Sequence, residues 1–228
     1  METKHIYLDL NYPQINAKIG MQPYNDSFKG ILFDADMAGV LLSHDYSNSS
    51  IAAGYFRFHD SADAGKGGDV LGKNTFDMYS LDGKYNISKD LAVGAAYYFI
   101  RDQHTPGAYT VYPDAKVHTL GLNAAANVGA VALNGFAVKQ FGDISTGRDA
   151  KGYAFNVGAK MPLAGGTART EFLYVSGGKN AFYVPASDNG YTEGGQFYDS
   201  EMIMLGRDKY ATTIDNAIIY DVNNNEEG

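Results

Sequence analysis

The chain has 228 residues, room for one large domain or two small ones. Its net charge of −8, with no basic stripe, argues against nucleic-acid binding. The absence of cysteine excludes disulfide frameworks, zinc–thiolate sites and thiol nucleophiles. The composition is rich in 27 Gly, 18 Tyr and 12 Phe, with only 19% charged residues, which favours strands joined by turns.

From the N-terminus onward the dominant period is two. Ile6, Leu8, Leu10 and Tyr12 share one face, with His5, Tyr7, Asp9 and Asn11 on the other. After Pro13-Gln14 the apolar set is Ile15, Ala17, Ile19 and Met21. A two-residue hairpin here opposes Tyr12 with Ile15 and Leu8 with Ile19. It also opposes Asp9 with Lys18, a favourable cross-strand charge pair. Further strands are predicted at 37–46, 50–59, 75–85, 91–101, 116–126, 131–140, 151–161 and 167–176, and an eleventh is allowed around 209–220. In 131–140 both faces are mixed, so the pattern does not choose between them. The longest apolar run, Leu91 to Ile100, is ten residues. A membrane-spanning helix needs about 20 residues and a spanning strand only about 9–11.

The connections alternate in length. Short turns fall at 13–14, 47–49, 86–90, 127–130 and 162–166. Longer segments, read as polar and Gly-rich, fall at 23–36, 60–74, 102–115, 141–150 and from 177 onward. Such alternation is expected of an up-and-down barrel in an outer membrane, with short turns at one end and long loops at the other. A soluble sandwich has no reason to alternate its loop lengths. Strands of nine to eleven residues also exceed the soluble mode of about 5–6. The expected fold is therefore all-β: an antiparallel up-and-down transmembrane β-barrel, one domain over 1–228. Tyr12, Tyr46, Tyr85, Phe141, Tyr153 and Tyr174 lie near strand ends, where they suit interfacial girdles, although tyrosine also favours strands for its own sake.

The stretch YLDLNYPQINAKIGMQPYNDSFKGILFDADMAGVLLSHD (residues 7–45) resembles large Gram-negative outer-membrane porins, alginate-export-type barrels included. There a strand ending in Gly-x-Gln, here Gly20 and Gln22, leads into an external loop. The chain returns in a strand opening with an acidic residue and Gly-Val, here Asp36, Gly39 and Val40. Residues 85–102, YNISKDLAVGAAYYFIRD, resemble a porin turn and the strand after it. The resemblance implies a bacterial outer-membrane location, a lipid bilayer as partner, and passive passage of small hydrophilic solutes or ions. It implies a channel that is monomeric or a homotrimer, with neither catalysis nor cofactor. The chain has no N-terminal signal region and no closing terminal aromatic strand, and large porins have about 16–18 strands. The expectation is thus a partial barrel wall lacking its N-terminal signal and C-terminal strands.

The polar faces nominate a pore lining: Asp9, Lys18, Arg57, His59, Asp82, Lys84, Lys160, Arg169 and Glu171. Rings of charge set ion preference in pores, but both signs are present, and each charge can instead neutralise a cross-strand neighbour. Other motifs carry less. Residues 67–73 match GxxxxGK, but Asn74 replaces the magnesium-binding Ser or Thr and a strand follows instead of a helix. Ser43-His44-Asp45 has the residue types of a catalytic triad, but neighbours on a strand point to opposite faces. Asp34 with Asp36, or Asp221 with Glu226 and Glu227, could hold calcium in a loop, although solvated loop acids explain them as well. No zinc-type metal spacing is present among the five histidines. Phe182, Tyr183, Tyr191, Phe197 and Tyr198 in 177–220 suit an inward constriction or a sugar platform, and an exposed loop equally well. The competing expectation is a soluble or surface β-sandwich or barrel that binds a ligand such as a carbohydrate.

Overall fold

The computed structural model describes residues 5–60, 75–103, 115–145, 147–180 and 182–183. These form one antiparallel sheet of 11 strands. Ten run up and down in chain order: β1 (Ile6–Tyr12), β2 (Ile15–Asn25), β3 (Asp34–Asp45), β4 (Ser49–Asp60), β5 (Thr75–Ser88), β6 (Leu91–Asp102), β7 (Ala115–Val128), β8 (Val131–Ser145), β10 (Tyr153–Leu163) and β11 (Gly166–Val175). The short β9 (Arg148–Asp149) doubles back on the end of β8. A 3-10 turn at Gly178–Asn180 follows. Among the described residues, β1 and β11 do not pair with each other, so the sheet is not closed. The eleventh strand allowed around 209–220 lies outside the described residues. No helix among the described residues is long and apolar enough to cross a membrane.

The predicted hairpin register is the observed one: Tyr12 opposes Ile15, Asp9 opposes Lys18 and Leu8 opposes Ile19. Tight turns sit where the sequence placed them. Between β10 and β11, Ala164 and Gly165 both take positive φ, 49° and 79°, as a primed two-residue hairpin turn requires.

The two faces of the sheet differ. On one face lie Met37, Phe56, Met78, Tyr98, Val117, Phe136 and Val138, all buried. The other face exposes a continuous series of large apolar side chains that includes Leu8, Ile19, Ile51, Leu81, Leu122, Val157 and Phe172. Leu122 is 64% exposed while its chain neighbour Gly121 is buried, which is the strand alternation expressed as burial.

The connection between β2 and β3 makes the buried face. Read in the sequence as part of a polar external loop, residues 26–33 instead fold back over the sheet. Phe28, Leu32 and Phe33 are 0% exposed and Ile31 is 3% exposed. They join the strand residues in one apolar cluster. The segment touches β5, β6, β7, β8 and β11, strands up to eight positions around the sheet, so the sheet curls around it. The reading of 23–36 as a polar external loop is therefore corrected for 26–33. Toward the long connections the interior is packed with apolar side chains, because 26–33 supplies them with a dry partner.

This also accounts for the two awkward strands. The apolar run Leu91–Ile100 has Ala96, Tyr98 and Ile100 buried inside and Tyr97 and Phe99 outside. Both faces of β6 are apolar: Ala96, Tyr98 and Ile100 join the buried cluster, while Tyr97 and Phe99 pack beside neighbouring rings on the outer face. In β8, Phe136 and Val138 turn inward to the cluster while Asn134 and Gln140 flank them.

Candidate functional site

The interior is organised by the 26–33 segment. Asp26, 4% exposed, sits at its centre. Its Oδ1 accepts hydrogen bonds from the backbone N–H of Phe28 (2.7 Å) and Gly30 (3.2 Å). Its Oδ2 accepts from Leu32 (2.6 Å) and Phe33 (2.7 Å). One carboxylate thus satisfies four buried backbone donors that no strand pairs. Lys29 and Gly30 adopt positive φ, 61° and 72°, which winds the chain around that carboxylate. Burial pushes the Asp26 carboxyl up to about 6, against the downward pull of its four backbone donors.

Three contacts fasten this knot across the interior. Phe28 stands edge-on to Tyr98, ring centroids 5.8 Å apart, and packs on Phe136 at 5.7 Å. Gly121 makes room for it: a Cβ there would lie 2.5 Å from Phe28 Cζ. Ser27 Oγ donates to Asp82 Oδ1 at 2.5 Å, and the same carboxylate accepts from the hydroxyls of Tyr98 and Tyr24. Lys29 Nζ reaches across to Glu171 Oε1 at 2.6 Å, and Asn156 Nδ2 donates to that same oxygen.

Below the knot, toward the short turns, the inner face opens into a cavity of about 480 Å³. Ser27 and Lys29 form its upper side, and Asp45, Asp82, Lys84 and Asn134 are among its walls. Above the knot, the chain after β11 also turns inward. The Gln140 side chain accepts from Tyr183 N and donates to Tyr183 O, and Tyr183 OH donates to Asp102. Phe182 and Tyr183 therefore pack against the interior cluster; Tyr191, Phe197 and Tyr198 lie outside the described residues.

The nominated lining residues distribute as follows. Asp82, Lys84 and Glu171 belong to the interior just described. Asp9 opposes Lys18 on the inner face of β1 and β2, where the Lys18 ammonium lies 5.7 Å from the Tyr7 ring centroid. Lys160 and Arg169 oppose each other near the short turn of the last hairpin. Arg57 is placed differently. It shares the outer face with Tyr55 and Tyr79, and its Nε donates to Asp77 Oδ1 at 2.8 Å. A bulge between Arg57 and His59 shifts the register, so His59 opposes Phe76; the His59 side chain is outside the described residues. Alternation assigned Arg57 by polarity alone, and an outer-face ion pair defeats that rule.

The remaining motifs do not assemble. Ser43 and Asp45 face the interior while His44 lies on the other face against Tyr46, ring centroids 4.3 Å apart. Asp36 is engaged by His5 Nε2 at 2.7 Å, and no group of residues among those described could hold a metal ion. The 67–73 motif and Asp221, Glu226 and Glu227 lie outside the described residues. Asp26, Ser27, Phe28 and Lys29 were missed in the sequence. The signal was the apolar cluster Phe28, Ile31, Leu32 and Phe33 inside a segment otherwise read as a polar loop.

The outer face carries a second pattern. Tyr55, Tyr79, Phe99, His118 and Phe141 are directly opposed in turn across β4 to β8. Their rings run in sequence at centroid distances of 5.1, 5.9, 4.6 and 5.0 Å. Tyr12, Tyr46 and Tyr85 stand exposed near the short-turn end. Compared with known proteins, the chain matches no family model and no curated protein sequence.

Proposed function

We propose that this chain forms the wall of a porin-like outer-membrane channel, with the apolar outer face against lipid. Small hydrophilic solutes or ions pass through the interior, and 26–33 narrows it. The observation that carries this reading is the outer face itself. Soluble monomers rarely expose apolar patches beyond about 300–600 Å², whereas here exposed large apolar residues run from β1 to β11. The dimensions support it. On β7 the outward residues from His118 to Val128 span ten steps, about 33 Å along the strand. At a strand tilt of 35–45° that is about 25 Å of depth, the height of the apolar band of outer-membrane barrels. An aromatic row at one edge of that band suits an interfacial girdle. Closure of the curled sheet into a barrel, the bacterial outer-membrane location, and assembly as single chains or a homotrimer are parts of this proposal. So is passive transport without catalysis.

The chain contains no tryptophan, so one introduced residue is an unambiguous reporter. With the full chain refolded into vesicles, Leu122→Trp is expected to be quenched by brominated lipid and shielded from aqueous iodide. Ala125→Trp, facing the inner cavity, is expected to show the reverse. Equal iodide quenching of both, with none by brominated lipid, would overturn the membrane reading and favour a soluble ligand-binding β protein.

A further inference from the structure

The cavity beneath the knot holds two charges that the protein itself leaves unanswered. Asp45, Ser50 and Lys84 oppose one another in turn across β3, β4 and β5, and all three line that cavity. A carboxylate and an ammonium thus stand two strands apart, with a hydroxyl between them. Among the described residues, no hydrogen bond or ion pair engages Asp45 or Lys84, and both are exposed. Register gives the reason on the far side of Lys84: the next strand opposes it with Gly94, which has no side chain to meet an ammonium. The other charges around the cavity are already engaged. Asp82 accepts from Ser27, Tyr98 and Tyr24, and Lys29 pairs with Glu171. Elsewhere the lining is apolar: Ala52, Ala92 and Ala125 are small, which keeps the space open, and Phe136 adds a broad wall.

We propose that this cavity binds a small zwitterion, an α-amino acid with an apolar side chain, its ammonium at Asp45 and its carboxylate at Lys84. Two strand spacings of about 4.8 Å set the Cα atoms of Asp45 and Lys84 roughly 10 Å apart. Two charge-assisted contacts of about 2.8 Å leave roughly 4 Å between the charges of the solute, a separation that suits an α-amino acid. Ser50 lies between them as a hydrogen-bonding group for either end. A solute carrying both charges satisfies both side chains at once, whereas a monovalent ion satisfies one and leaves the other unpaired. A mostly apolar pocket with a few placed polar groups is the usual form of a small-molecule site, and 480 Å³ lies within the usual range of about 300–1,000 Å³. The apolar lining receives the side chain of the amino acid.

The proposal rests on the channel reading, in which the bound amino acid is a solute in passage, and the experiment separates the two. The full chain in detergent micelles is titrated by equilibrium dialysis with leucine, with isoamylamine, which keeps only the cation, and with isocaproate, which keeps only the anion. Insertion is scored separately, by brominated-lipid quenching of Leu122→Trp in vesicles. Leucine is expected to bind about tenfold more tightly than either analogue, the loss that follows from one missing charge-assisted contact. Asp45→Asn should weaken leucine binding about tenfold and bring it level with isocaproate, and Lys84→Gln should bring it level with isoamylamine. The exchange Asp45→Lys with Lys84→Asp should recover leucine binding, which no folding defect would do. Leucine binding no tighter than that of either analogue, or unmoved by both single variants, overturns the site; with normal quenching by lipid it leaves the channel reading standing. Binding as expected without quenching by lipid keeps the site and overturns the channel. Failure of both measurements overturns both.

Discussion

Replacing Phe28 with alanine tests whether 26–33 is held inside by packing. The ring is completely buried between Tyr98, Phe136 and the backbone at Gly121. Truncating such a ring costs about 3–5 kcal/mol, from lost transfer free energy and the cavity left behind. Since 26–33 is a connection between strands, most of that cost falls on its inward position and little on strand pairing. The equilibrium for local opening should therefore shift roughly 150- to 5,000-fold. Hydrogen exchange reads it directly, because the amides of Leu32 and Phe33 are protected by a side chain of the same segment, Asp26. In Phe28→Ala those two amides should lose protection by that factor, while amides in the middle of β6 and β7 keep theirs. Leu122→Ala, on the outer face, should leave Leu32 and Phe33 unchanged. Protection in Phe28→Ala within tenfold of the parent would refute the reasoning, as would equal loss across the whole sheet.

Three further outcomes are expected. Asp26 holds its proton more tightly in the inward segment, at about 6, than an ordinary carboxyl at 3.8. As pH rises the opened state loses its proton first, so inward packing weakens between about pH 4 and 6 and is level above, a change of roughly 3 kcal/mol. Exchange of Leu32, corrected for intrinsic rate, should accordingly be slowest near pH 4, and a trend of the opposite sign would contradict the burial of Asp26. Gly121→Ala should loosen the same segment, since its Cβ would lie 2.5 Å from Phe28 Cζ and 2.8 Å from the Ala137 carbonyl oxygen; limited proteolysis at Lys29 is the readout. Leu122→Arg should cut folding yield into vesicles, at a cost of about 2–4 kcal/mol for a cation deep in lipid, while Lys84→Gln on the inner face should not. Equal yields would remove the lipid face.

Much of the strand arrangement was legible because it is local. Period two, together with the short turns at 13–14, 127–130 and 162–166, indicates where strands begin and which residues share a face. The Asp9–Lys18 register follows from counting across a two-residue turn. Polarity was a good guide to facing wherever one face was polar, as with Gln22 or Lys84. It failed for Arg57, because Asp77 on the next strand neutralises the charge on the outer face, and two strands that are neighbours in space are separated by a long connection in sequence.

The sequence by itself determined a meander of long antiparallel strands with one apolar face, because strand periodicity and hairpin chemistry act over a few residues. Only the tertiary structure decided what fills the inside. Asp26, Asp82 and Glu171 look like three unrelated acids along the chain. The curl of the sheet brings them together, because Phe28, Leu32 and Phe33 bury more favourably against distant strands than they would lie in water. It also lets Lys29 reach Glu171, 142 residues further along the chain. That long-range burial turns a segment read as an external loop into the structure that occupies the interior.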